Sequence, residues 1–372
     1  MKDKPIFLCG LNGIRTIAAM GVLISHINLA LSKFNIMNIS LFGFNKFGKP
    51  KGWLLGEHGV TMFFVLSGFL ITFLLVKEFK KTGIINIKAF YVRRILRIWP
   101  LYYLYFLTTI FIFYLLFDNL PSISTFLYYT FFLANIPFVT HNALPALAHF
   151  WSIAVEEQFY LFWPFLFLFF NIKLRKVILF LISFLALFRI FVWYKMPFSL
   201  IALYSVVNRF DCMLFGALGA ILYLEQSKII DFLNLKWIQY CSWLVMLLLI
   251  TNQLIFFSAI IEIFLIGFVT FSIIIGQINI ENRVVNLENM IMSYLGKLSF
   301  GIYVYHPLII FLASHFFKKT NNLNELTYSI FVFGVIITLT IVVSHFSYFY
   351  FENHFLRLKS KFSIIHSTNS NV

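Results

Sequence analysis

Residues 11–30 read LNGIRTIAAMGVLISHINLA, an apolar run of membrane-crossing length that carries an arginine and a histidine, Arg15 and His26. At ~100° per residue, the eleven positions between them amount to three full turns plus roughly 20°, so both side chains leave the same face of a helix. At ~1.5 Å per residue they stand ~16 Å apart, about half the thickness of a bilayer core. Ionisable groups at that depth are costly in lipid and mark functional positions. The run therefore predicts a membrane helix with one face turned towards a polar interior.

The rest of the chain extends that reading. Hydrophobic residues make up 61% of the 372 positions and charged residues 12%, and the mean hydropathy is +0.88. These values fall outside the soluble range, and no segment remains for a soluble domain of ordinary size. The 50 Phe, 18 Tyr and 7 Trp divide between interfacial belts and helix packing. Cys9, Cys212 and Cys241 are scattered and lack metal-site or disulfide spacing. The net charge of +15 follows from loop lysines and arginines, so no nucleic-acid partner is expected. Lys2 and Lys4 before an apolar run imitate a signal peptide, but Arg15, His26 and the missing cleavage site argue for a retained first span.

The expected fold is an all-α polytopic membrane protein of about ten spans, near 11–32, 59–76, 98–117, 150–171, 177–194, 205–224, 238–256, 259–278, 294–316 and 327–351. With the N-terminus inside, 19 of the 29 Lys and Arg residues fall on the inner side and 8 on the outer, while Arg15 and Arg189 lie within spans. That bias puts both termini in the cytoplasm. Residues 126–139 are apolar, yet a full crossing there would move Lys173, Arg175 and Lys176 to the outside. Asn135 and Pro137 add to the case for a broken, re-entrant element lining a cavity. The expected division is a membrane domain over 1–356 and a short basic, polar cytoplasmic tail over 357–372.

Three further clusters carry chemistry. Arg93, Arg94 and Arg97 sit three and four positions apart, so their guanidiniums crowd one side of a helix at the inner edge. They suit phosphate recognition, or simple anchoring to lipid headgroups. Glu156 and Glu157, after Trp151 and Ser152, open the fourth span about 100° apart. At most one of them faces the cavity of His26, where it would orient the imidazole; the other reading is a solvated pair. Tyr303 and His306 share a face beside Pro307, although a lone histidine there also suits a bond to a neighbouring helix. Asp211 is expected to pair with Arg209, Glu352 to snorkel at the inner edge, and Ser67-Gly68 to serve close helix packing.

Taken in order, these blocks resemble the acyltransferase-3 family of integral membrane acyltransferases. The resemblance rests on Leu11-Asn12-Gly13-Ile14-Arg15 through His26, Gly59-Val60 with Phe63-Phe64-Val65-Leu66-Ser67-Gly68-Phe69, the Arg93/Arg94/Arg97 block, Trp151-Ser152 through Tyr160, and Ser299-Phe300-Gly301-Ile302-Tyr303-Val304-Tyr305-His306-Pro307. It departs from the family at Asn12, commonly Asp, at Thr61, often acidic, and at Glu352-Asn353-His354, usually Glu-x-Pro. The resemblance implies an acyl-CoA donor, most often acetyl-CoA, on the cytoplasmic side of an inner (plasma) membrane, and a cell-envelope glycan such as O-antigen as acceptor. No metal and no appended extracytoplasmic esterase-like domain are expected. Arg15, His26, Glu156 and Glu157 become the catalytic candidates and Arg93, Arg94 and Arg97 the donor-binding ones. Trp151, Ser152, Asp211, Tyr303 and His306 are the candidates for substrate contact. A proton-coupled transporter using Arg15, His26, Glu156 and His306 is the competing class.

Overall fold

A computed structural model describes residues 7–365 apart from 119, 252, 255–258 and 318–323. Lys2, Lys4, Lys318 and Lys319, which the orientation argument used, lie outside the described residues, as does the end of the tail from residue 366. The described chain is helical and contains no strand, only an isolated bridge between Phe44 and Pro50.

In chain order the helices are α1 (Leu11–Leu29), α2 (Trp53–Thr82), α3 (Ile87–Phe117), α4 (Ile123–Thr130), α5 (Asn135–Val139), α6 (Phe150–Phe170), α7 (Leu174–Lys195) and α8 (Leu200–Val207). There follow α9 (Phe210–Leu224), α10 (Lys228–Leu233), α11 (Lys236–Ile250), α12 (Ala259–Ile278), α13 (Met290–Phe316), α14 (Glu325–Phe346) and α15 (Asn353–Ser360). A π-helical turn, Ser347–Glu352, joins the last two.

Among the described residues, eight segments are long and apolar enough to cross a membrane, so the protein is an all-α polytopic membrane protein. α8 and α9 form one of these segments, and α14 runs through the π turn into α15 to form another. The other two expected spans are present as helices of a different kind. α1 has 19 residues, but Asn12, Arg15, His26 and Asn28 dilute its apolar character. α11 is apolar with 15 residues, and the expected span continues through residues 252 and 255–256, which are not described.

α2 lies at the centre. Of its most apolar stretch 72% is buried inside the protein, against 28% for α3 and 22% for α7, whose outer faces are left for lipid. It packs on α9 and α1, and α1 packs in turn on α13. The α2–α9 crossing is a backbone contact: a methyl group on Gly68 would stand 1.9 Å from the Met213 carbonyl oxygen, and one on Gly216 would stand 1.9 Å from that of Val65. Small residues at a crossing allow such an approach where lipid supplies no hydrophobic drive.

Residues 126–139 form the expected broken element, α4 and α5 separated by a turn in which Phe132 has φ 55°. The carbonyls freed at the break are satisfied by side chains. Tyr102 and Tyr103 hydroxyls donate to the Tyr129 and Thr130 oxygens (2.7 and 2.8 Å), and the Gln158 amide donates to Phe132 (2.9 Å). Asn135, fully buried, exchanges amide hydrogen bonds with Gln158 and donates to the Tyr204 hydroxyl at 3.0 Å. Irregular backbone at this depth survives only with such protein partners.

The expected Arg209–Asp211 pair does not form. Residues two apart at a helix start point in nearly opposite directions. Asp211 instead accepts from Arg189 of α7 at 2.8 Å, both side chains being buried, and Arg189 also donates to the Ser205 carbonyl. Arg209 reaches α2, with Glu57 at 3.2 Å and the Thr61 hydroxyl at 2.7 Å.

The α2–α9 contact makes a prediction. Gly68→Val drives a branched side chain into the Met213 backbone and should destabilise the protein by about 3 kcal/mol, the upper end of usual overpacking. Thermal unfolding in detergent checks this, and an unchanged melting temperature contradicts the crossing.

Candidate active site

One cavity of about 250 Å³ runs into the bundle between α1, α2, α3, α6 and α13. Its lining is rich in cations, with Arg15 from α1, Arg93, Arg94 and Arg97 from α3, Lys297 from α13 and Lys359 from α15. The asparagine cap of α3, Asn86, starts that helix by accepting from the Ala89 amide and fixes where the three arginines project.

The three arginines of α3 are not equivalent. Arg93 is engaged by protein, paired with Glu78 of α2 at 2.9 Å and donating to the Phe362 carbonyl at 2.8 Å. The Arg94 guanidinium lies over the Phe90 and Tyr160 rings (5.7 and 5.0 Å), and its buried Nε has no hydrogen-bond partner. Neither Arg94 nor Arg97 has a carboxylate within ion-pairing distance among the described residues. Arg15 donates to Asn12 Oδ1 at 3.0 Å. That partner is neutral where the family commonly has an acid, so the arginine keeps its charge for the cavity.

Glu156 and Glu157 separate as their 100° offset requires. Glu156 lines the cavity and is hydrogen-bonded by the hydroxyls of Ser67 and Tyr160. Glu157 turns away and accepts from Trp99 Nε1 at 3.0 Å. Ser67 therefore belongs to the cavity, while its neighbour Gly68 does the packing expected of the pair. Glu352 does not snorkel: it is buried, lines the same cavity and accepts from the Ser347 hydroxyl at 3.0 Å. Tyr160, one helical turn after Glu156, and Lys359 in the presumed tail also belong to the lining. Their distance in sequence from the arginine block hid them.

Tyr303 of α13 and Ser152 of α6 also line the cavity, with hydroxyls 2.5 Å apart, and Tyr303 donates to the His149 carbonyl at 3.0 Å. His306 lies behind Tyr303, with ring centres 6.0 Å apart. His26 Nδ1 and His306 Nε2 are 2.7 Å apart, and the His306 Nδ1 is 3.0 Å from the Ile302 carbonyl. A carbonyl only accepts, so His306 carries its proton on Nδ1 and its Nε2 is bare when the ring is neutral. His26 must then donate through Nδ1, which leaves its own Nε2 as the available lone pair. The partner of His26 is thus His306, not Glu156 or Glu157 as expected. Both glutamates are held elsewhere, by Ser67 and Tyr160 and by Trp99.

A third imidazole, His149, packs against His306 with ring centres 5.4 Å apart and donates to the Val304 carbonyl at 3.1 Å. His26 itself does not line the cavity but retains partial exposure.

Two sequence candidates stand apart. Trp151 is a packing residue, stacked on Phe138 of the broken element (5.4 Å) and set under Arg209 (5.9 Å). Asp211 is consumed by Arg189 and does not reach the cavity. At Thr61, where the family often carries an acid, the charge is supplied one turn earlier by Glu57, which pairs with Arg209.

A polytopic bundle with an unneutralised cationic cavity and a bonded imidazole pair beyond its end has the parts of a membrane group-transfer enzyme. The model of the acyltransferase domain, the acyltransferase-3 family, matches residues 10–345, and the chain belongs to that family. It is similar to the O-acetyltransferase OatA of Staphylococcus aureus strain NCTC 8325 / PS 47 and to OatA of strain COL. Each is 27% identical over 377 residues, a match covering 94% of this chain and 57% of theirs. The chain thus spans a little under three-fifths of the length of these curated relatives. No solved structure matches it.

The histidine geometry is testable without any assay of turnover. In ¹⁵N-histidine spectra of the protein, His26 should show a protonated Nδ1 and an unprotonated Nε2. His306→Ala should abolish that preference, because the free imidazole favours the other tautomer. An unchanged spectrum in the variant contradicts the assigned bond.

Proposed function

We propose that the protein transfers an acyl group, most simply acetyl, from a cytoplasmic CoA thioester to a hydroxyl of a cell-envelope glycan at the inner membrane. The observation that carries this reading is the pairing of a cationic cavity with a histidine whose Nε2 lone pair is free. Charge-assisted contacts to phosphate suit Arg15, Arg94 and Arg97, which among the described residues have no carboxylate within ion-pairing distance. The excess of Lys and Arg on the N-terminal side supports a cytoplasmic mouth for the cavity. The name O-acetyltransferase carried by the similar proteins supports acetyl and an oxygen acceptor.

The chemistry then follows from the residues. The donor phosphates sit among the arginines, and the thioester end extends towards Tyr303 and Ser152. These two hydroxyls part to admit it. The acceptor hydroxyl gives its proton to His26 Nε2 as its oxygen attacks the thioester carbonyl. The carbon–sulfur bond breaks, the CoA thiolate leaves, and the imidazolium returns the proton to it. His306 accepts the Nδ1 hydrogen bond throughout and so holds the ring in the tautomer that the reaction needs. Glu156, held between Ser67 and Tyr160, stands beside the path and tempers the cationic field.

The test is an assay of CoA-dependent acceptor acylation with variants that insert normally. His26→Ala should lower turnover at least ~100-fold, the usual scale of a general base. Arg97→Ala should chiefly raise the KM for the donor, by about tenfold. Wild-type activity in both variants overturns the scheme. An acyl group accumulating on His26 would instead establish a covalent relay.

A further inference from the structure

Lys359 is an unexpected member of the cavity wall. It lies on α15, beyond the part of the chain that the family model matches, in a segment whose sequence reads as a polar tail. α15 packs along α3 instead of leaving the bundle, and Leu356 and Lys359 from it line the cavity. The chain just after the helix is fastened by the bond from Arg93 to the Phe362 carbonyl. Arg93, read from the sequence as a ligand-binding residue, therefore acts as the clamp that seats this segment.

The electrostatics of that seat are unfavourable for the empty protein. Lys359 shares the cavity wall with Arg97, Arg94, Arg15 and Arg93, and all four charges repel its own. Among the described residues it makes no ion pair. The carboxylates that line the cavity are Glu78, Glu156 and Glu352, against six cations. Glu78 is taken by Arg93, and Glu156 and Glu352 are engaged by hydroxyls. The buried Nε of Arg94, without a partner, is a second and independent sign that an acceptor group is missing from the site. Bringing an ammonium group up to this wall opposes folding unless an anion joins it.

We propose that α15 is a wall of the donor site and that the Lys359 ammonium binds a phosphate of the polyanionic donor alongside Arg94 and Arg97. This deepens the reading of the cavity as a CoA site and rests on it. The same ammonium chemistry would suit the phosphate of an anionic lipid, and the experiment separates the two sources.

The full chain in phosphatidylcholine nanodiscs is titrated with CoA by calorimetry, comparing wild type with Lys359→Gln, Lys359→Arg and Arg357→Gln. Arg357 is exposed on the same helix and does not line the cavity. Lys359→Gln should weaken CoA binding about tenfold. Lys359→Arg should restore most of that loss, and Arg357→Gln should bind as the wild type does. Transfer from S-acetyl-pantetheine, which has no phosphate, should be equal in Lys359→Gln and wild type. Wild-type CoA affinity in Lys359→Gln overturns the proposal, as does an equal loss with the pantetheine donor, which would mark a merely structural role. A difference that emerges only when phosphatidylglycerol is added to the discs assigns Lys359 to lipid and also overturns it. Failure of the wild-type protein to bind CoA would overturn the donor reading itself and is seen before any variant is compared.

Discussion

The backbone contact between α2 and α9 governs the rest of the structure. With Gly68 against Met213 and Gly216 against Val65, neither helix can rotate or slide without a clash. A helix fixed in rotation has every side chain fixed in azimuth. Ser67, ~100° from the buried glycine, is thereby aimed into the cavity at Glu156, and Thr61 and Glu57, about two and three turns before Gly68 on α2, are aimed at Arg209. The same clamp holds the first turn of α9, where Asp211 meets Arg189. A packing rule for small residues therefore decides where polar groups stand.

Charges in this bundle fall into two populations. Arg189 and Arg209 each have an acidic partner, Asp211 and Glu57 respectively, and so meet the requirement that buried ions be paired. Arg94, Arg97 and Lys359 line a cavity with no such partner among the described residues. Both sets arise from ordinary Lys, Arg, Asp and Glu, so composition does not separate them. The difference is geometric. The first set reaches across helix interfaces closed by packing, and the second projects into a space that packing leaves open.

Much of this was readable from local periodicity. The divergence of Glu156 from Glu157 and the break in residues 126–139 follow from helix geometry, loop charge and proline chemistry, and the described structure has both. Pairings between distant segments were not readable. His26 and His306 are 280 positions apart, and Asp211 prefers Arg189 to its neighbour because a helix start separates adjacent side chains. Lys359 and Glu352 looked like residues of a membrane edge and a tail because their spacing says nothing about how α15 folds back on α3. Span length misled in one place: α1 is too polar to stand out by hydropathy because of the residues that give it chemical interest.

The closure at Tyr303 and Ser152 matters for the cell as well as for the reaction. A continuous polar passage beside three imidazoles would conduct protons, and each charge crossing an energised membrane dissipates roughly 2.3 kcal/mol per 100 mV. Here the cavity stops at a pair of hydroxyls bonded to each other and to the His149 carbonyl, with His26 beyond them. The hydroxyl pair thus lies between the cavity lining and the His26–His306 pair. For the transfer proposed above, such a break would keep the donor's path separate from a proton path across the membrane.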